Sequence, residues 1–290
     1  MAAAASNPTE NTAFSFVSML ATELSVGKID LPSFPDIAFR VRRVLQDEDV
    51  SPDKVTRVVG VEPALVARLL QLSNSASINV SGKRITDLRL AIARIGFNLV
   101  RSSAIAFAMS QLSKAEGLKS VREPLRSLWQ HSALVAAMAS VVAKRLTRVN
   151  ADTAALAGIL HGIGKLYLLV RSVEYPALFS SPEVYGGIEK QWHANIAKAV
   201  LENWQMAEEV VTAVHLQEDL EYSHEGETDL TDVLLIANLL VEFRERPDDI
   251  GLHLHGVKSA SRMQLDEVIF KKLLVESRAE IESLRAALGG

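Results

Sequence analysis

Seven histidines occur in this chain of 290 residues, and four of them stand in apolar surroundings. His131 lies in LWQHSALVA, His161 in ILHGIGKL, His193 in WHANIAKAV and His215 in VVTAVHLQED. Imidazole is a good ligand for first-row divalent metals, and a helical bundle can point such side chains from successive helices into one interior site. A hydrolytic metal site also uses carboxylates, which offset the ion's charge and orient its bound water. Those acids are scarce here. His161 is followed by Gly162, and the apolar middle of TDVLLIANLLVEF carries the amide Asn238. The acid placed beside one of the four is Asp219, four residues after His215 and on the same face if the helix continues that far. Two readings stay open: a metal centre, or a small polar cavity in which the imidazoles bond to one another, to Asn238 or to water.

Around His161, Lys165 follows one turn later and is expected to carry its ammonium to the surface on its apolar stem. Gly162 and Gly164 each cost about 1 kcal/mol within a helix, so close approach of a neighbouring helix is the expected reason for them. Other chemistries drop out. The chain has no cysteine, which excludes disulfides, thiolate zinc sites and cysteine nucleophiles and suits a reducing cytoplasm. No serine-nucleophile motif and no Walker or Rossmann glycine loop occurs. His253 and His255 fall in a polar loop, RPDDIGLHLHGVKS, and carry no site.

The elements that position these residues read as helices throughout. Hydrophobic residues make up 48% of the chain and aromatics 6%, glycine and proline are sparse, and no strand-like alternation of any length appears. Residues 1–12 read as a frayed tail, followed by a short amphipathic helix in FSFVSMLATEL. Ser51-Pro52-Asp53 starts a short helix that ends at Gly60, Pro63 opens the next, and Thr86-Asp87 caps a third that breaks at Gly96 before a long helix from Asn98 to Leu112. Later helices are expected through His131 to Leu146, from Asp152 to about Val170, and over 188–204, 207–216, 229–245 and 264–287. No apolar run reaches the roughly 20 residues of a membrane helix. The pair in SPDKVTRVVGVEPALVARLLQLS has the outline of a helix-turn-helix, but its second helix offers only Arg68 and Gln71 to bases, so it reads as a buried pair without DNA contact.

Charge is unevenly spread. Leu31 to Leu112 holds 11 Lys and Arg against 7 Asp and Glu, whereas Glu174 to Ile250 holds 4 against 17. The second half would repel nucleic acid and favour basic partners.

Several blocks taken in order resemble the HDOD family, bacterial signalling domains related to the HD metal-dependent phosphohydrolases. LPSFPDIAFRVRRVLQDEDVSPDKV is similar to the family's opening motif, VEPALVARLLQLSNSA to its D-P-x-L…N-S-A block with Glu62 in place of Asp, and ITDLRLAIARIGFNLVRS to its following A-I-x-x-L-G block. The resemblance runs from about Leu24 to Glu245. It implies an all-α fold in which an N-terminal helical subdomain (24–113) packs on an HD-like core (120–245), with 1–23 as tail and short helix and 246–290 as loop and C-terminal helix. It places the HD histidines at His131, His161, His193 and His215, the aspartate of the His-Asp doublet at Gly162 and the last aspartate at Asn238.

With both carboxylates replaced, the resemblance implies a cytoplasmic regulatory domain with a vestigial pocket (His131, His161, Gly162, Lys165, His193, His215, Asn238). It is expected to hold no metal and no cofactor and to work through a protein partner. A groove between the halves, with Asn74, Ser75, Lys83 and Arg84, is the expected docking place, and the C-terminal helix either closes on its own core or serves a homodimer. Two alternatives stand beside this: a residual metal-dependent phosphohydrolase, or a module that senses a cyclic dinucleotide second messenger through Lys83, Arg84, Arg89 and Arg101. Neither DNA nor a membrane is expected as partner.

Overall fold

A computed structural model describes residues 8–27, 29, 31, 35–75, 78–79, 82–112 and 114–288. The chain is all-α: among the described residues no strand occurs. Its helices are α1 (Pro8–Val26), α2 (Asp36–Leu45), α3 (Pro52–Val59), α4 (Pro63–Ser73), α5 (Leu88–Leu112), α6 (Arg122–Leu146), α7 (Ala151–Leu160), α8 (Ile163–Ser172), α9 (Pro182–Asn203), α10 (Glu208–Leu216), α11 (Leu230–Phe243), α12 (Ile250–Leu254), α13 (Lys258–Arg262) and α14 (Glu267–Ala287).

Local chemistry sets many of these boundaries. Ser51 Oγ accepts from Lys54 N at 3.3 Å to start α3, and Asp87 Oδ1 accepts from Leu90 N at 2.8 Å to start α5. Asn150 Oδ1 takes the amides of Asp152 and Thr153 at the head of α7. Asp229 and Asp232 form a reciprocal capping box on α11. Gly96 interrupts α5 with φ 76° and ψ 163°, a backbone that a residue with a Cβ would resist.

Buried side chains from Phe16 in α1 to Leu288 after α14 form one continuous cluster. Two crossings in it depend on glycine. A Cβ on Gly158 would run into the backbone of Ala136 where α7 crosses α6, and a Cβ on Gly164 would overlap the carbonyl oxygen of His193 where α8 crosses α9. α5 and α4 cover one end of this bundle, and α14 lies along α6 with its last turns reaching α4.

The structure corrects several expected boundaries. Residues 1–7 lie outside the described residues, and 8–12 are helical, so the first helix is longer than the FSFVSMLATEL segment. It is held down by buried Phe16 and Leu20 and by Glu23, which pairs with Tyr167 and Arg171 of α8. The single helix expected over 152–170 is two helices, because the chain turns at His161-Gly162. α9 begins at Pro182 rather than 188, and the RPDDIGLHLHGVKS loop holds the short helices α12 and the start of α13. Two stretches, Leu88–Leu112 and Ala151–Ser172, are in fact long and apolar enough to cross a membrane, but most of each is buried within the bundle.

Candidate functional site

The His161-Gly162 turn is the centre of the candidate site. Breaking the chain there lets α8 leave α7 and places His161 as the C-cap of one helix and Gly162 as the N-cap of the next. His161 is 2% exposed, and its Nδ1 lies 2.7 Å from Gly158 O. A carbonyl only accepts, so Nδ1 carries the proton and Nε2 keeps its lone pair. Burial, reinforced by neighbouring His131, drives the His161 pKa down to about 3, and the ring is neutral at physiological pH. The turn is held from outside by Gln217, whose Nε2 donates to His161 O at 2.8 Å.

His131, on α6, stands with its ring centroid 5.3 Å from that of His161. It opens to solvent at the rim, where it shares a cavity lining with Asn238 of α11. Desolvation by the surrounding walls and the nearby Lys165 ammonium hold its pKa below the ordinary histidine value. Lys165 does not run free to the surface: its Nζ donates to Glu218 Oε1 at 3.1 Å. The other oxygen of Glu218 meets His193 Nε2 at 3.1 Å. These contacts, the His193 bond first, pull the Glu218 carboxyl down to about 2, so it is ionised throughout the physiological range.

Two cavities meet at His131 and Lys165. One, of about 520 Å³, runs past Glu218, Asn238, Glu242 and Arg244; the other, of about 480 Å³, has His161 at its base and walls of Leu128, Leu169, Phe179 and Tyr185. Gly162 sits behind them. A Cβ there would lie 3.0 Å from both Leu128 Cδ1 and Ser132 Oγ, so those two side chains stand next to the space an aspartate would use.

Of the sequence-derived pocket residues, the structure thus brings together His131, His161, Gly162, Lys165, His193 and Asn238. His215 turns away: its Nε2 bonds Asn195 Oδ1 at 3.2 Å, on the other side of α10. Asp219 does not face it either, because α10 ends at Leu216 and Asp219 Oδ1 instead takes the amide of Glu221. The acid that matters is Glu218, which the sequence reading passed over; its offset of three from His215 gave no signal, since its partners come from α8 and α9.

A second polar cluster was also missed. Asp232 is fully buried at the head of α11, where Oδ2 meets His224 Nε2 at 2.8 Å and Oδ1 accepts from Ser259 Oγ at 2.6 Å and Arg262 Nη1 at 2.7 Å. Among the described residues, His224, Asp229 and Asp232 are the group of three such side chains whose donor atoms lie close enough to share an ion. Arg262 already neutralises Asp232 there, and both aspartates serve as helix caps.

The groove residues lie apart from the histidines. Asn74, Ser75 and Arg84 line a cleft beside α4 and α14, and Lys83 is exposed next to it. Arg89 is tied to Asp53 at 2.6 Å, and Arg101 is half-buried beside Arg42, so the four cations named for a cyclic dinucleotide do not converge.

A turn carrying buried His161, with His131 of a flanking helix beside it in an all-α bundle, is the arrangement that the resemblance to an HD-related helical domain implies. The profile of the HDOD domain matches residues 31–220, and the chain belongs to that family. It is similar to a protein from Shewanella amazonensis provisionally named a metal-dependent phosphohydrolase (25% identity, TM-score 0.73, covering 96% of this chain and 99% of that one). It also shares the fold of an HDOD domain protein of unknown function from Geobacter sulfurreducens (23% identity, TM-score 0.64, 93% and 96%). An uncharacterised protein of Treponema pallidum is 24% identical over 228 residues, 74% of this chain; the chain spans only 42% of that relative's length.

Proposed function

We propose that this protein is a non-catalytic regulatory module of bacterial signalling, working in the cytoplasm through protein contacts, with an HD pocket that no longer holds metal. One observation carries the reading: where the HD doublet needs its aspartate, Gly162 presents no side chain, and the Glu218 carboxylate at the pocket is already held by His193 and Lys165. His193 Nε2 meets one oxygen of Glu218, and Lys165 places an ammonium against the other. A divalent ion would have to displace that ammonium from Glu218, and at the family positions themselves it would find the imidazoles of His131 and His161 with a neutral amide and no carboxylate, a poor donor set for a hard, water-activating centre. Hydrolysis at this pocket has no carboxylate at either family position to position the attacking water.

The test is metal content and turnover of protein purified without an affinity tag. Substoichiometric iron, manganese and zinc are expected, with phosphomonoesterase and phosphodiesterase rates no higher than those of His161→Ala. Stoichiometric metal together with turnover that disappears in His161→Ala would overturn the reading.

A further inference from the structure

A cavity of about 760 Å³ lies away from the histidines, between α4, the 82–86 segment and the last turns of α14. Its floor is apolar: Ala67, Leu70, Ile85 and Ala286. Its wall is preformed rather than loose. Asn74 spends its whole amide on it, donating to Leu70 O and Ile85 O at 2.7 Å each and accepting from Ile85 N at 2.8 Å. Asn79 extends the brace, accepting from Arg94 Nη1 at 2.6 Å and donating to Lys83 O at 3.0 Å. Asn74 is therefore a builder of the cleft and not one of its free contacts.

Among the described residues no carboxylate lines the cleft, while Arg84 lies on its wall and Lys83 beside it, and neither has an acidic partner. Two acids on the flanking elements are engaged elsewhere: Asp87 caps α5, and Glu282 pairs with Arg285 at 2.7 Å. The opposite wall is supplied by Ser283 of α14, which is anchored by Lys144 to Glu280 at 2.7 Å and by buried Phe270, Leu273 and Ile281.

We propose that this cleft docks an extended, acidic segment of a partner protein, with apolar side chains seated on the Ala67–Leu70–Ile85–Ala286 floor and carboxylates set against Lys83 and Arg84. This rests on the proposed function and names its docking surface and the chemistry of its partner. An extended chain alternates its side chains between two faces, which matches an apolar floor under a basic rim. The amide of Gln71, which makes no hydrogen bond among the described residues, stands ready for the partner's backbone. A cleft with a fixed wall binds without first ordering itself, which keeps the cost of association low.

The experiment is fluorescence anisotropy on the full chain with a fluorescein-labelled peptide of alternating glutamate and leucine, against one of alternating lysine and leucine. The acidic peptide is expected to bind and the basic one not. Lys83→Glu with Arg84→Glu should weaken binding about tenfold, two exposed charge pairs being reversed. Ala286→Trp, which fills the cleft without changing charge, should abolish it, while Arg148→Glu, a reversal at an exposed arginine outside the cleft, should leave it unchanged. Thermal melting of each variant reports on folding separately. Absence of acidic-peptide binding, equal binding in Ala286→Trp, or an equal loss in Arg148→Glu would overturn the proposal. So would binding of inorganic pyrophosphate at this cleft with no binding of the peptide. Any of these with metal and turnover still absent leaves the regulatory reading standing and refutes this surface alone; turnover refutes that reading whatever the peptide does.

Discussion

Replacing Gly164 by alanine tests the central packing argument. The added Cβ would overlap the His193 carbonyl oxygen, lie 2.8 Å from its carbonyl carbon and come within 3.1 Å of Ala197 N. All three are backbone atoms of α9 and cannot rotate aside. Relieving the carbon contact to the normal ~3.5 Å requires α8 and α9 to part by at least about 0.7 Å, and the oxygen overlap demands more. Overpacking of this kind costs about 1–3 kcal/mol and occasionally more, against which alanine returns about 1 kcal/mol of helix propensity. The oxygen overlap places Gly164→Ala at the upper end, so a net loss of about 2 kcal/mol is expected, or about 3 °C in Tm at this chain length. The same parting carries His193 away from Glu218, so the acid-side stability due to Glu218 should shrink as well. Gly186→Ala is the control: it lies in the same α9, nothing approaches its Cβ within 4 Å, and it should gain a few tenths of a kcal/mol or more. Urea unfolding followed by circular dichroism measures both. If Gly164→Ala proves as stable as Gly186→Ala, the close crossing of α8 and α9 is wrong.

Other consequences are as direct. Arg262→Ala leaves the buried Asp232 carboxylate with Ser259 and His224 but no permanent cation; a loss of about 3 kcal/mol is expected in urea unfolding, and a loss under about 1 kcal/mol would refute the view of Asp232 as a hub. His224 has its pKa raised, chiefly by its bond to Asp232. Its contribution is complete below the unfolded value of about 6.5 and is lost as pH climbs through the folded value; His224→Gln should flatten the stability profile on that alkaline side. Glu218 and His161 act on the acid side. The depressed Glu218 carboxyl stabilises above about 4.5 and loses that as pH falls toward 2, while His161 resists the proton that the unfolded chain accepts below about 6.5. Stability should therefore fall as pH drops from neutrality, and the His161 ring signals should stay flat in NMR titration down to about pH 4.

Helix starts were readable from the residues because capping is local: Ser51, Asp87 and the prolines each act within one turn. The kink at Gly96 was readable for the same reason. The turn at His161-Gly162 was not, since apolar residues continue on both sides and its two glycines read as a close helix approach, which holds for Gly164, rather than as the stop that Gly162 makes. The site divides likewise. The histidines stood out because imidazole is rare in apolar sequence, and the family blocks fixed their order. Their partners are a matter of tertiary placement. Glu218 reads as one more surface acid in an acidic half, and only the fold sets Lys165 and His193 on either side of it. The Asp232 cluster gave one legible sign, the Asp-x-x-Asp of a capping box, but its Arg262 is 30 residues downstream and invisible to any local rule.

That distance has an implication for how this fold can be cut and joined. The profile of the domain ends at residue 220, yet α11 brings Asn238 to the pocket, α13 supplies the arginine that neutralises Asp232, and α14 seals α6 and forms a wall of the basic cleft. A graft taken at the profile's edge would strand ionised and greasy surfaces that were never meant to meet water. The portable unit, for a recombinant chimera or for a gene that borrows this module, extends through Leu288. Downstream helices of this kind are part of the domain's own foundations, and fusions should be spliced beyond them.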